Sequence, residues 1–398
     1  MTDHMFWQDV RASVEMDPSI TYLNTGTAGL IPKAVHSAAL EHRTRLHHNP
    51  TDYAWRAMWD SLWLSRSRLA THIGTLPDRL IFFQNISQAI NTFCLSCNLP
   101  SGSEILLSDH EYGAMRWAWE RAASKHGWKL VTFRLPIQAE TPNEIIASVQ
   151  QSLSPRTKLL FLSHVLYTTG LVLPIREICQ LAREQNVLSF IDGAHAPGML
   201  PLHLDLLGAD FYAANLHKWF MSPVGAAFLY VSRGLENHLR PWQVSWGYHD
   251  DRSQEHQRNE FGSTPWIRQF EMEGTRDITP WLLVPLNCDF LESIGYQAIE
   301  SRLLELSSLV RQRINGVLGL ELVTPENNLL RGGLTAFRVP QHYDSQQLRY
   351  RLWSEYKIEI NVVNQGDEQY LRVSTHIYNA RSEIEHLSTA IEGELKPD

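Results

Sequence analysis

The sequence predicts an α/β protein, with a large domain built on a seven-stranded, mainly parallel sheet and a smaller α+β domain. Seven short apolar runs follow one another between residues 80 and 231, and helical patterns separate most of them. After residue 280 a long helical stretch leads into further strand-like runs and a last amphipathic helix. The 398 residues, 43% hydrophobic and 20% charged, have the composition of a folded chain with a large core.

The large domain is expected at residues 21–280, after a lead-in helix in residues 1–20 that belongs to the small domain. Residues 33–75 have the apolar spacing of a helix. The seven strands are expected at 80–83, 104–108, 129–135, 157–163, 187–191, 210–214 and 225–231. Because the gap before the last strand is too short for a crossover helix, that strand should join the sheet antiparallel, as a sheet edge.

The small C-terminal domain is expected at residues 281–398. Its helical stretch runs from about residue 280 to residue 316, and an amphipathic helix is expected at 381–394. Between them, strands are expected at 334–338, 358–363 and 370–375.

Charge and composition narrow the classes of function. A net charge of −8 provides no basic field for nucleic acid or a membrane surface. No run approaches the ~20 apolar residues of a membrane helix, and the first residues have no apolar signal core. Four cysteines do not make a disulfide scaffold. We therefore expect a cytoplasmic protein that binds neither nucleic acid nor a membrane.

Polar and ionisable residues follow five of the predicted strands directly. In an open parallel sheet, ligands bind beyond the carboxyl ends of the strands, so these residues should share one edge. Polar residues at strand ends are common, because loops lie at the solvent-exposed surface. Such exposure does not by itself explain histidines, an aspartate and a lysine among apolar strands. The segments are Gln84–Ser87, Asp109–Tyr112, His164, Asp192–His195 and Asn215–Lys218.

Asp192 and Lys218 are the two strongest candidates for chemistry. Asp192 ends a buried strand, where a carboxylate needs a cation, a metal or a protonated ring nitrogen as partner. The alternative is that Asp192 only caps the next turn, since Asp-Gly is a common turn pair. Lys218 lies among aromatic and apolar residues, where desolvation lowers the pKa of an amine and suits it to form a Schiff base. The alternatives for Lys218 are a side chain that reaches the surface or one that pairs with Asp210.

An aspartate and a lysine after consecutive strands suggest pyridoxal phosphate (PLP) as cofactor. PLP needs a lysine for its aldehyde, an acid for its pyridine nitrogen and donors for its phosphate. The helix start at Ile86 and Ser87 is a natural phosphate seat, although Ser87 is equally suited to a plain N-cap. Metal-site spacing, a Walker loop and a GxGxxG turn are absent from the sequence, which argues against metal, P-loop and nicotinamide enzymes.

Four segments resemble the aminotransferase class V family of PLP enzymes, and within it the isopenicillin N epimerase-like group. They are FIDGAHAPGM (190–199), NLHKWFMSPVGAAFL (215–229), QVSWGY (243–248) and FEMEGTRDITPWL (270–282). The resemblance runs from about residue 20 to residue 380. It implies the large-sheet fold of PLP-dependent transferases and a homodimer whose active sites are shared at the interface.

The resemblance also implies how the cofactor is held. Lys218 would bind its aldehyde as a Schiff base, Asp192 would pair with the ring nitrogen, and His195 would reach the ring hydroxyl. His110 would stack on the ring face and shield the reacting carbon. The phosphate would be held by Ile86, Ser87 and His217 of the same chain and by Thr275 of the neighbouring subunit. Asn215 occupies a position where relatives often have a serine.

On the substrate side, the resemblance implies that Arg372 clamps the carboxylate of an amino acid through its guanidinium fork. Asn24 and Gly26 would line the same pocket. Cysteine desulfurases carry a mobile nucleophilic cysteine shortly before the arginine strand, and the stretch 359–374 has none, so a persulfide mechanism lacks its nucleophile.

The expected function is therefore that of a PLP-dependent enzyme that acts at Cα of an amino acid, epimerase-like. Transamination and β-elimination by a C–S lyase share the same first steps and stay open as alternatives. Epimerisation needs a second acid across the ring, for which His110 and Tyr112 are candidates. A catalytically silent binding protein is the alternative from another class, and the presence of both Asp192 and Lys218 argues against it.

Overall fold

The computed structural model describes residues 3–53, 56, 58–248, 255–258 and 262–394. Its strands, in chain order, are β1 (Thr21–Tyr22), β2 (Leu80–Phe83), β3 (Glu104–Ser108), β4 (Lys129–Phe133), β5 (Thr157–Ser163), β6 (Leu188–Asp192), β7 (Phe211–Asn215), β8 (Ala227–Val231), β9 (Glu321–Leu322), β10 (Leu334–Arg338), β11 (Ile358–Glu359), β12 (Asn361–Gln365) and β13 (Glu368–Ser374).

The part of the chain that the structure describes contains fifteen α-helices. They are α1 (Asp3–Ala12), α2 (Lys33–His48), α3 (Pro50–Asp52), α4 (Met58–His72), α5 (Ile86–Ser96), α6 (Gly113–His126), α7 (Pro142–Ser152), α8 (Ile175–Glu184), α9 (Leu204–Leu207), α10 (Pro265–Glu271), α11 (Thr279–Leu282), α12 (Val284–Ile294), α13 (Tyr296–Ile314), α14 (Ser345–Tyr356) and α15 (Arg381–Glu394). Within the described part of the chain, none of them is both long and apolar enough to cross a membrane.

The predicted seven-stranded sheet is confirmed, with the strand order β2-β8-β7-β6-β5-β3-β4. The pairs among β3 to β7 are parallel, and β8 is antiparallel to both of its neighbours. The prediction that β8 forms a sheet edge is wrong, because β2 pairs along its outer side. A short connection requires β8 to be antiparallel to β7, but it does not determine what pairs with the other side of β8.

The large sheet is buried on both faces, which is why its strands are continuous apolar runs. Alternate strand residues enter two separate cores: Phe82, Leu160 and Ile191 pack in one, whereas Phe83 and Phe161 pack in the other. Helix α8 contributes to the first core through buried residues at helical spacing. Asp192 and Asn215 are the last residues of β6 and β7, beyond the apolar residues that fill these cores.

The smaller sheet is antiparallel, with the order β12-β13-β10-β9, and it encloses a third core with α13, α14 and α15. Helix α14 is absent from the sequence-based expectation. Its N-cap is Asp344, whose side chain accepts hydrogen bonds from the backbone N–H groups of Gln346 and Gln347. The chain returns from β12 to β13 in a tight hairpin, with Gln365 paired to Glu368. The division into domains at residue 280 stays a prediction.

Candidate active site

A cavity of about 560 Å³ opens at the carboxyl ends of the parallel strands, where the strand-end argument places a site. Ten of the twelve residues selected from the sequence contribute to its walls. They are Asn24, Gly26, Ile86, Ser87, Asp192, His195, Asn215, His217, Lys218 and Arg372. The exceptions are His110 and Thr275.

Lys218 and His195 meet inside this cavity, with Lys218 Nζ 3.0 Å from His195 Nε2. The other ring nitrogen, His195 Nδ1, accepts a hydrogen bond of 3.2 Å from the indole N–H of Trp219, which can only donate. A neutral His195 must then carry its proton on Nε2 and donate it to Lys218 Nζ. This hydrogen-bond pattern requires Lys218 to be an uncharged amine.

The electrostatics of the cavity favour the same state. Burial, followed by repulsion from Arg372, lowers the pKa of Lys218 to about 7, and the attraction of Asp192 opposes the shift only in part. Burial and the neighbouring Lys218 hold the pKa of His195 well below its ordinary value. An uncharged lysine amine is the nucleophile that imine formation needs.

Asp192 ends β6 as a buried carboxylate that faces the cavity. Its Oδ1 accepts a hydrogen bond of 2.9 Å from the backbone N–H of Ala194, so the turn role proposed for this Asp-Gly pair is also filled. Burial raises the pKa of Asp192 to about 6, against the opposing effects of that hydrogen bond and of Lys218. A protonated ring nitrogen in the cavity would give this acid the cationic partner that a buried carboxylate needs.

The start of α5 contributes to the cavity wall. The helix N-cap is Asn85, whose side chain accepts from Gln88 N, so Ser87 is not the cap residue. Asn215 Oδ1 accepts a 3.0 Å hydrogen bond from Ile86 N, which ties the end of β7 to the helix start. This contact gives Asn215 a positioning role that the sequence left undecided.

The start of α5 has the features of a phosphate-binding site. Ser87 lies in the first turn, where backbone N–H groups have no acceptor inside the helix. His217 Nδ1 is buried without a hydrogen-bond partner in the described chain, and burial together with Lys218 lowers the pKa of His217 to about 4. An unpartnered buried nitrogen beside a helix start fits a phosphate group, so these residues fit PLP.

Arg372 lies on β13 and contributes to the cavity wall from the smaller sheet. It is 3% exposed, and its guanidinium donates to Tyr167 O at 3.0 Å and to Thr27 Oγ1 at 3.0 Å. Arg372 Nε has no partner, and no carboxylate within the described ranges forms an ion pair with this arginine. A Cβ at Gly26 would lie 2.8 Å from Ser374 Oγ, so a glycine is needed where the N-terminal loop passes the guanidinium. A buried arginine without an acid partner is suited to bind a carboxylate.

Two predicted residues lie outside the cavity walls. His110 follows β3 and is buried, and its Nδ1 lies 3.3 Å from Thr168 Oγ1. Thr275 is exposed in the segment between α10 and α11. The stacking role of His110 and the phosphate role of Thr275 stay predictions.

Glu111 is a functional candidate that has no role in the sequence-based prediction. This carboxylate is 4% exposed and accepts hydrogen bonds from Ser108 Oγ, Ser163 Oγ and Ser163 N. Ser163 is the β5 residue paired with Asp192 on β6, so Glu111 lies close to Asp192. Burial raises the pKa of Glu111 to about 7, and the charge of Asp192 adds to the shift. The sequence feature that could have identified Glu111 is its position directly after a buried strand.

Comparisons with known proteins cover nearly the whole chain. The model of the aminotransferase class V family matches residues 21–387. An isopenicillin N epimerase from Amycolatopsis lactamdurans is 43% identical, over 97% of this chain and 98% of that protein. An isopenicillin N epimerase from Streptomyces clavuligerus is 41% identical, over 97% of this chain and 98% of that protein.

Among solved structures, the complex of the cystine C–S lyase C-DES with its reaction product cysteine persulfide has the same fold. The TM-score is 0.84 at 23% sequence identity, over 94% of this chain and 98% of that chain. The structural match therefore covers the fold of nearly the whole chain.

Proposed function

The chain belongs to the aminotransferase class V family, and on that premise we propose that it inverts the configuration at Cα of an amino acid, as an isopenicillin N epimerase-like enzyme. Its cofactor is pyridoxal phosphate, as the sequence predicted. The silent binding protein is not supported, because the relatives at 41–43% identity are enzymes. The observation that carries the proposal is the hydrogen bond between Lys218 Nζ and His195 Nε2 inside the cavity that Asp192 also lines.

Each group in the cavity has a task that its surroundings support. When bound, PLP supplies an aldehyde that combines with amines and a ring that accepts electrons from Cα. Lys218 would hold that aldehyde in the resting enzyme, and Asp192 would keep the ring nitrogen protonated. Arg372 would bind the substrate carboxylate and so orient the Cα–H bond. The amine of Lys218 would also be the base that takes the Cα proton.

Inversion requires a proton to return from the other face of Cα, and we assign that task to Tyr112. Tyr112 lines the cavity, and its ring lies edge-on to Tyr167 with centroids 5.0 Å apart. His110, the other candidate, does not line the cavity, and its Nδ1 faces Thr168. A Tyr112→Phe variant should exchange the Cα proton of one enantiomer with solvent but form little of the other.

The test of the main proposal uses the holoenzyme with L-amino acids in deuterated water. NMR reports exchange at Cα, and chiral chromatography reports the D-enantiomer. Exchange with inversion is expected, whereas keto-acid formation would indicate transamination and sulfide release from cysteine derivatives would indicate the C–S lyase. Lys218→Ala should keep the fold and lose turnover; unchanged activity would remove Lys218 from the mechanism.

A second variant tests the acid at the ring nitrogen. Asp192→Asn keeps the shape of the side chain and its acceptor for Ala194 N, but it cannot hold a proton on the ring nitrogen. We expect the variant to bind PLP, seen as a visible absorption band, and to lose most of its activity. Near-normal rates would show that the ring nitrogen has another partner.

We also propose that the active unit is a homodimer in the cytoplasm. Thr275 is exposed and outside the cavity of its own chain, so its predicted phosphate contact would be made to a second copy. The four cysteines form no disulfide, which agrees with a reducing compartment. Mixed dimers of Lys218→Ala and Thr275→Arg subunits should recover activity, because one of their two sites combines both intact residues. No recovery in proven mixed dimers would contradict sharing.

A further inference from the structure

A buried histidine outside the cavity walls contacts the residue that follows Lys218. His376 comes shortly after β13 and is fully buried. Its Nε2 lies 2.9 Å from the backbone oxygen of Trp219, which can only accept, so Nε2 carries a proton and donates it. Its Nδ1 accepts a hydrogen bond of 2.8 Å from the backbone N–H of Ile377. Both ring nitrogens are thus engaged by a neutral histidine, and burial lowers the pKa of His376 to about 4.

The position of Trp219 is fixed at its ring as well as at its carbonyl group. The imidazole of His376 stacks on the indole with ring centroids 5.6 Å apart, and it also stacks on Tyr378 at 4.9 Å. A Cβ at Gly333 would lie 2.6 Å from Trp219 Cζ3, and a Cβ at Gly198 would lie 2.2 Å from Trp219 O. The close packing and the hydrogen bond from His376 therefore hold this tryptophan in one place.

The direction of the indole determines how His195 meets the lysine amine. The indole N–H of Trp219 donates to His195 Nδ1 at 3.2 Å, and His195 Nε2 lies 3.0 Å from Lys218 Nζ. If the indole turned away, Nδ1 of His195 could carry the proton, and Nε2 could accept a hydrogen bond from Lys218. Because that arrangement favours the charged amine, a displaced indole would raise the pKa of Lys218.

The segment that carries His376 also carries Arg372, the residue that we expect to bind the substrate carboxylate. Its backbone is anchored between the two: Thr375 N donates to Gly333 O at 3.0 Å. His376 N donates to Asn379 Oδ1 at 2.7 Å. One anchored segment therefore contacts the cavity through Arg372 and the lysine-bearing turn through His376.

We propose that His376 is a positioning residue for Lys218: it holds Trp219 so that the indole N–H meets His195, and His195 presents its Nε2 proton to the amine. The proposal rests on the proposed function, because it takes Lys218 as the residue that binds the PLP aldehyde. His376 is neutral and does not line the cavity, so its effect on Lys218 passes through Trp219.

The test follows Schiff-base formation between PLP and the full-length apoenzyme, read as growth of the visible absorption band at a series of pH values. The wild-type midpoint should lie near the pKa of Lys218, about 7. His376→Phe keeps a ring but has no donor, and its midpoint should rise by about one pH unit. The titratable and charged groups that face Lys218 are unchanged in this variant; they are Asp192, His195, His217 and Arg372.

A double-mutant cycle shows whether His376 acts through Trp219. The midpoint should already be raised in Trp219→Phe, and His376→Phe should move it no further in that background. A merely structural role would lower the melting temperature in both backgrounds and leave the midpoint where it was. His376→Met is a second variant without a donor and should give the same shift, whereas His376→Gln keeps a donor and should give a smaller one.

Two controls complete the experiment. His126→Phe removes a histidine that also stacks on a tryptophan, Trp128, with ring centroids 4.5 Å apart at the end of α6, and it should keep the wild-type midpoint. Lys218→Ala should form no Schiff base with a pH midpoint; a wild-type curve in that variant would contradict the proposed function and not the role of His376. An unmoved midpoint without a donor at position 376, an equal shift in His376→Gln, or additive shifts in the cycle would overturn the proposal.

Discussion

Replacing Glu111 with glutamine should make the stability of this enzyme less sensitive to pH. Burial raises the pKa of Glu111 from 4.5 to about 7, so between these values the folded state binds more protons than the unfolded state. Stability from this group is therefore fully present below pH 4.5 and is lost as the pH rises toward 7. The loss amounts to about 3 kcal/mol. Glutamine has the hydrogen-bonding pattern of the protonated acid: its oxygen can accept from Ser163 while its amide group donates to Ser108.

Thermal unfolding of the holoenzyme at pH 5 and pH 8 measures this effect. A chain of 398 residues has an unfolding entropy of about 0.8 kcal/mol per degree. About 2.5 kcal/mol of the loss falls between pH 5 and pH 8, so the melting temperature of Glu111→Gln relative to wild type should rise by about 3 °C between the two pH values. Glu120→Gln is the control, because Glu120 is exposed and pairs with Arg116 on the helix surface. A melting difference that is the same at both pH values would refute a buried, titrating Glu111.

Two further predictions concern buried hydrogen bonds. Trp219→Phe removes the donor to His195 Nδ1, so we expect kcat to fall about fivefold to tenfold and the pH–rate profile to shift. Trp119→Phe is the control and should leave both unchanged, because the buried indole N–H of Trp119 has no hydrogen-bond partner among the described residues. An unshifted profile in the Trp219 variant would contradict the tautomer argument. Arg66→Met leaves Glu271 as an unpaired buried charge, and chemical denaturation should show a loss of about 3–5 kcal/mol. A loss below about 1 kcal/mol would mean that this pair is not desolvated.

The site could be predicted from the sequence to the extent that strand ends determine it. Parallel strands bring their carboxyl ends to one edge, so the order of strands along the chain is enough to place Asp192 and Lys218 together. Arg372 followed from the family resemblance, since it lies on the other sheet and no local pattern links it to Lys218. Glu111 follows a buried strand, but its role was not found, because that role depends on its nearness to Asp192 across the sheet.

The order of apolar runs and helical patterns by itself determined the α/β class, the seven strands and the antiparallel direction of β8, because these follow from local periodicity and connection length. The tertiary structure alone decided that β2 lies at the sheet edge, that α14 forms a cavity wall, and that Trp219 sets the proton position on His195. Each of these depends on contacts between segments far apart in the chain, and such contacts leave no periodic signal in either segment.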